Sequence, residues 1–361
     1  MKKVVFALLA FLMIFAAACE KDEESSVPEE LSSEAEESEI SEEIVDLDGY
    51  TVTVLGDSIA YGYGLKDAEN ERFSALFEKL AEASGGDIHI NNFSVNGMTG
   101  SGLAELLRKS EDARDFDDQN FTEPDNDFGV SRSSGYEFSD QDIANLRCSL
   151  LYSDAVFISI GGNNILTRLF ELGAVGDIVK DAGEEVFADY FAYIQAPDDN
   201  LDKAYSVKKL ESIFAKLNEA FSGEEFISLI ESAQFSLSEE LWDVTQTIKE
   251  MNPDAEIYLQ TVYNPYSGIR LELSLVEGSV DLSTYGENAV AHLNRAIFEE
   301  QNVCKYTIVD VKDAFDKANE TLTNAGYDFT VPTFSVDPHP NKAGHEVIAK
   351  LYFDVVSEAR R

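Results

Sequence analysis

The chain has 361 residues, of which 44% are hydrophobic, and a formal net charge of −42. That length is enough for one domain with a sizeable core and extensions beyond it. The acidic excess excludes nucleic acid and anionic headgroups as electrostatic partners.

The chain opens on "MKK", the apolar run "VVFALLAFLMIFAAA" and Cys19. A basic start, a short apolar stretch and small residues before a cleavage point predict a signal peptide over 1–18. The run is shorter than a membrane-spanning helix needs. Its end, "FAAAC", resembles a bacterial lipobox, with Ala16 where leucine is more usual. That resemblance implies a lipid on Cys19, and so an extracytoplasmic protein held at a membrane. Residues 20–48 carry fourteen acids and one lysine. Such a segment cannot bury a core, and self-repulsion extends it. Residues 19–48 are therefore predicted to be a disordered tether. Setting aside +2 in the leader and −13 in the tether leaves −31 for residues 49–361.

Beyond the tether, β-rich runs alternate with helical patterns. Strands are expected in 50–56, 88–95, 154–161, 255–263 and 305–311. Several are apolar on both faces, as in a covered parallel sheet. Helices are expected over 72–83, 142–151, 204–219, 237–251 and 286–301. A last one, 342–359, has Asn341 as its N-cap. This alternation predicts one doubly wound α/β domain over 49–361, with ligands at the carboxyl ends of the strands. Two segments exceed what the sheet needs. The polar stretch 109–140 reads as a long loop. Residues 165–236 read as a helical insertion whose apolar faces either pack on the body or cover a site. Cys148 and Cys304 are two buried thiols or a disulfide pair, and no spacing suggests a metal site.

Four short blocks follow in order. "VLGDSIAYGYG" puts Ser58 in a turn after the first strand. "NNFSVNGMTG" holds Gly97, "SIGGNNIL" holds Asn163, and "SVDPHPN" holds His339 between two prolines. A serine hydroxyl needs a base to become a nucleophile, and a histidine supplies one near neutral pH. The oxyanion that follows needs donors already in place. The Ser58 and Gly97 amides and the Asn163 side chain would provide them.

In these blocks the chain resembles the SGNH hydrolases, the GDSL lipase/esterase family. The resemblance spans about residues 50–359, and "NPDAEIYLQTVYNPY" at 252–266 is similar to the fourth strand of lipase-like members. It implies a flavodoxin-like three-layer sandwich with a mainly parallel five-stranded sheet. It also implies ester hydrolysis through an acyl-serine, without cofactor or metal. Ser58 would be the nucleophile, His339 the base, and Ser58, Gly97 and Asn163 the oxyanion hole. Two positions depart from the family pattern. Asn164 stands where an aspartate is usual. The acid usually three residues before the histidine is replaced by Val336, leaving Asp337 or a carbonyl of 335–336 to orient His339.

The expected substrate is a lipid or short acyl ester. An acetylated glycan is the alternative, and a non-catalytic binding lipoprotein is the rival of another class. Tyr61 and Tyr63 either line an acyl pocket or pack around the first helix. His345 reads as an ordinary helix residue, as do His89 in a strand and His292 in a helix.

Overall fold

The computed structural model describes residues 47–112, 137–169, 201–273, 275–328, 333–335 and 337–361. The leader, Cys19 and the tether up to residue 46 lie outside the described residues, as do 113–136 and 170–200 of the two insertions. Leu47 moves one predicted boundary. Its side chain is 1% exposed, in the core that also holds Tyr50, Phe77 and Tyr352. The Gly49 N–H donates to the Asp87 carbonyl at 2.6 Å. Leu47 thus belongs to the folded body, where the charge run gives way to an apolar side chain that can be buried.

Five parallel strands form the sheet: β1 (Tyr50–Gly56), β2 (Ile88–Asn92), β3 (Ala155–Ser159), β4 (Glu256–Gln260) and β5 (Thr307–Val309). Their spatial order is β2-β1-β3-β4-β5, the flavodoxin-like doubly wound order. Alternation along each strand feeds two cores. Val52 and Val54 of β1 with Ala155 and Phe157 of β3 face one layer. Leu55, Val156 and Ile158 face the other. Both faces are covered, as a parallel sheet requires.

Apart from a single turn at Ala68–Glu71, the helices among the described residues are α1 (Ser58–Tyr61), α2 (Phe73–Ala83), α3 (Gly100–Asp112), α4 (Asp140–Tyr152), α5 (Gly162–Leu169), α6 (Leu201–Ser222), α7 (Glu224–Met251), α8 (Leu282–Cys304), α9 (Val311–Lys317) and α10 (Lys342–Ala359). α2 and α10 cover one face. α3, α4, α6, α7 and α8 cover the other. All six sequence-predicted helices form, and Asn341 caps α10 by accepting from the Gly344 N–H at 3.0 Å.

Two insertion boundaries fall inside helices. Leu103, Leu106, Leu107 and Ser110 are buried at three- and four-residue spacing, so α3 continues past 109 to Asp112. Phe226, Ile230, Ala233, Leu237, Leu241 and Val244 repeat that spacing without a break across 236. The end of the insertion, from Glu224, and the predicted helix 237–251 are thus one continuous helix. Cys148 and Cys304 are both buried, and no disulfide joins them.

Candidate active site

The first block is built by strand pairing and a cap. Gly56 ends β1 at φ +141°, and a side chain there would collide with the Ser159 carbonyl of β3. The chain then turns into α1, whose first residue is Ser58. Asp57 caps it, accepting from the Ile59 N–H at 3.0 Å and the Ser159 hydroxyl at 3.3 Å. Asp57 is 3% exposed, and its burial raises the carboxyl pKa to about 6 against those donors and nearby His339.

The last block is fastened from several sides. The Asn341 amide group donates to the Thr321 carbonyl at 2.7 Å, and the Asn324 N–H to the His339 carbonyl at 2.9 Å. The Tyr263 hydroxyl donates to the Pro338 carbonyl at 2.8 Å. His339 Nε2 lies 2.8 Å from Ser58 Oγ, and Nδ1 lies 2.5 Å from Asp337 Oδ1. With the Nδ1 proton on the carboxylate side, Nε2 is left to accept from the serine hydroxyl. The same Asp337 oxygen accepts from the His339 backbone N–H at 3.1 Å. Its other oxygen accepts from Asn324 Nδ2 at 3.1 Å. Three side chains from opposite ends of the sequence thus form one chain of hydrogen bonds.

Gly97 sits at φ +78°, a conformation open to glycine, in the loop between β2 and α3. Asn163 and Asn164 lie in the first turn of α5. Asn163 Nδ2 donates to the Met98 carbonyl at 2.9 Å, which ties α5 to the Gly97 loop. Asn164 Oδ1 accepts from the Gly100 N–H at 3.1 Å, further along the same loop. Gly97 itself lines a neighbouring cavity with Asn96, Met98 and Thr99.

Ser58, Asn163 and His339 share an apolar cavity of about 140 Å³. Its wall includes Ile165, Phe221, Phe226, Val262, Tyr266 and Leu293.

A model of the GDSL-like lipase/acylhydrolase family matches residues 54–347, most of the chain and all four blocks. The chain belongs to this family. It is a GDSL serine ester hydrolase. No curated protein matches it. Among solved structures it resembles an extracellular lipase from Streptomyces rimosus at 15% identity and a TM-score of 0.46, covering 86% of this chain and 100% of that one. A phospholipase A1 from Streptomyces albidoflavus NA297 shows 17% identity and a TM-score of 0.44, covering 86% and 99%. A lipase from a goat rumen metagenome shows 15% identity and a TM-score of 0.45, covering 84% and 95%.

Within this GDSL hydrolase, the group facing His339 Nδ1, which the sequence left open between Asp337 and a backbone carbonyl, is Asp337 Oδ1 at 2.5 Å. Neither Tyr61 nor Tyr63 lines the apolar cavity. The Tyr63 ring instead packs on His339, with centroids 4.6 Å apart. The tyrosines on the cavity are Tyr263, Tyr266 and Tyr285. His345 is a buried, neutral packing residue of α10 whose Nδ1 accepts from the Phe73 N–H at 3.2 Å. His292 bonds Gln234 across α7 and α8 at 2.8 Å. Asn324, Tyr263 and Asp57 do not stand out as site residues in the sequence. Only Asp57 carries a local signal, as the cap within "GDS".

Proposed function

We propose that this GDSL hydrolase is a serine esterase for lipid-like acyl esters, working at the outer face of a membrane. The observation that carries the reading is the apolar cavity beside Ser58. An acyl chain gains by leaving water for such a wall, at about 0.8 kcal/mol per buried CH₂. An acetyl group would leave most of the wall unused. The sequence supports the location through "FAAAC" and the acidic tether.

The chemistry follows from the hydrogen-bond chain. Ser58 Oγ attacks the ester carbonyl carbon as its proton passes to His339 Nε2. Asp337 stabilises the imidazolium through Nδ1. The carbonyl oxygen becomes the oxyanion, with the Ser58 amide, the Gly97 amide and Asn163 as donors. The Ser58 amide is available because a helix leaves its first N–H groups unused. His339 then returns the proton to the leaving alkoxide as the C–O bond breaks. Water, activated by the same imidazole, frees the acid and regenerates Ser58.

Hydrolysis of p-nitrophenyl acetate, butyrate, octanoate and palmitate tests the reading. Octanoate is expected to exceed acetate in kcat/KM, and Ser58→Ala to abolish turnover. Highest activity on acetate, together with deacetylation of acetylated xylan, would replace the lipid reading with a glycan one. Binding without turnover in the wild type would make it a non-catalytic lipoprotein.

A further inference from the structure

Asn164 stands where the family usually has an aspartate, and its surroundings show where a carboxylate has gone. Asn164 is 3% exposed, and its Nδ2 donates to Glu240 Oε2 at 2.5 Å. Glu240 belongs to the middle of α7, 76 residues away. Its carboxylate lies flat against the first residue of α3. A methyl group at Gly100 would sit 2.2 Å from Oε2 and 3.0 Å from Glu240 Cβ. Two helices therefore begin beside this carboxylate, α3 at Gly100 and α5 at Gly162. A negative charge is favoured at a helix N-terminus. The same asparagine accepts the Gly100 N–H with its Oδ1. Glu240, Asn164 and Gly100 form a relay from α7 into the loop that carries Gly97. Next to that relay, Asn163 grips the Met98 carbonyl of the same loop.

We infer that Glu240 is a positioning residue for the oxyanion hole. Acting through Asn164, it locks the Gly97–Gly100 loop to the first turn of α5 and so fixes the Gly97 amide relative to Asn163. The inference rests on the esterase reading of Ser58, Gly97 and Asn163. Glu240 touches no substrate. Its effect comes from the spacing of the two donors, which are used when the oxyanion forms, so it acts on kcat and not on KM.

A charge-swap cycle tests this with four purified proteins: wild type, Asn164→Asp, Glu240→Gln and the double variant. Glu240→Gln keeps an acceptor and loses the charge, so kcat should fall by about fivefold, the margin between a charged and a neutral acceptor. Asn164→Asp sets two carboxylates at contact. It should lower kcat by about 10²-fold, the cost of displacing a reacting geometry by about 1 Å. The double variant restores one carboxylate and one amide, in exchanged places, and should recover to within about tenfold of wild type. KM for the same p-nitrophenyl ester should stay unchanged throughout. Equal losses from Asn164→Asp with and without Glu240→Gln would overturn the inference, and so would losses confined to KM. Melting temperatures of the same four proteins give a readout apart from activity, with the Asn164→Asp single variant lowest and the double variant recovered. If Ser58→Ala kept its activity, the reading of the site would fall. The thermal coupling between positions 164 and 240 would still be scored separately.

Discussion

His345 makes the acid limb of stability a sharp test of how this fold buries polar groups. Its side chain is fully buried in the first turn of α10. Nδ1 accepts from Phe73, so the neutral ring carries its proton on Nε2. Burial, with a smaller contribution from His339, lowers its pKa from 6.5 to about 3. A histidine depressed in the folded state gives its full stability above about pH 6.5, and loses it as the pH falls toward 3. At about 1.4 kcal/mol for each pKa unit, the whole loss is about 5 kcal/mol. Asp57 has the opposite sign. Burial raises its carboxyl from 3.8 to about 6. Its contribution is complete below about pH 3.8 and is lost as the pH rises to about 6, a change of about 3 kcal/mol. Between about pH 4 and 6 the two slopes cancel, which hides both in the wild type. His345→Gln keeps an acceptor for the Phe73 N–H and cannot titrate. Urea unfolding followed by circular dichroism, at pH steps from 7 to 3.5, isolates the His345 contribution. The variant should be less stable at pH 7. Its deficit should then shrink by about 1.4 kcal/mol per pH unit below 6.5. A deficit that stays constant with pH would refute the reasoning.

Asn163→Ala should lower kcat by about 10²–10³-fold with little change in KM, the usual cost of one oxyanion donor. A rise in KM at constant kcat would make Asn163 a binding residue. Asp337→Ala should cost about 10²–10⁴-fold in kcat, and full activity would return the orienting role to a carbonyl of 335–336. Cys19→Ser should move the protein from the membrane fraction to the soluble one or block its processing. Mass spectrometry of an unmodified N-terminus elsewhere would overturn the anchor.

The sheet was legible because several of its strands are apolar on both faces. The alternate residues of "TVTVL" and "AVFIS" point to two different cores, so neither face needs a polar pattern. Helix extent was less legible where polar residues interrupt the surface but not the buried stripe, as at α3 beyond Lys109. The site blocks stood out because each bends the chain at the end of a strand or loop, and glycine and proline mark such bends. What the sequence could not show is the second ring of contacts. Glu240 reaches Asn164 across 76 residues, and Tyr263 reaches Pro338 across 75. A glutamate in mid-helix and a tyrosine after a strand carry no local mark of such partners. The topology alone brings them together.

The two departures from the family pattern have a common physical answer. An acid two residues before His339 looks too close to reach the far side of the imidazole. The backbone solves this with an Asx turn. Asp337 Oδ1 accepts the N–H of the residue two ahead, which swings the carboxylate over His339 itself. Pro338 between them has no N–H to compete for the carboxylate and holds its own φ fixed. Its carbonyl is held by Tyr263 instead. One oxygen thus serves both the backbone and Nδ1 of the same histidine, while Asn324 holds the other. At the other departure, Asn164 has lost a charge that Glu240 presents from α7. At Asn164 a distant side chain supplies the partner, and at Asp337 a local Asx turn does, with Asn324 holding the other carboxylate oxygen. A family pattern read position by position would score both as defects. Orientation of the imidazole and of the Gly97 loop depends on where the charges and protons sit, not on the spacing of the residues that carry them.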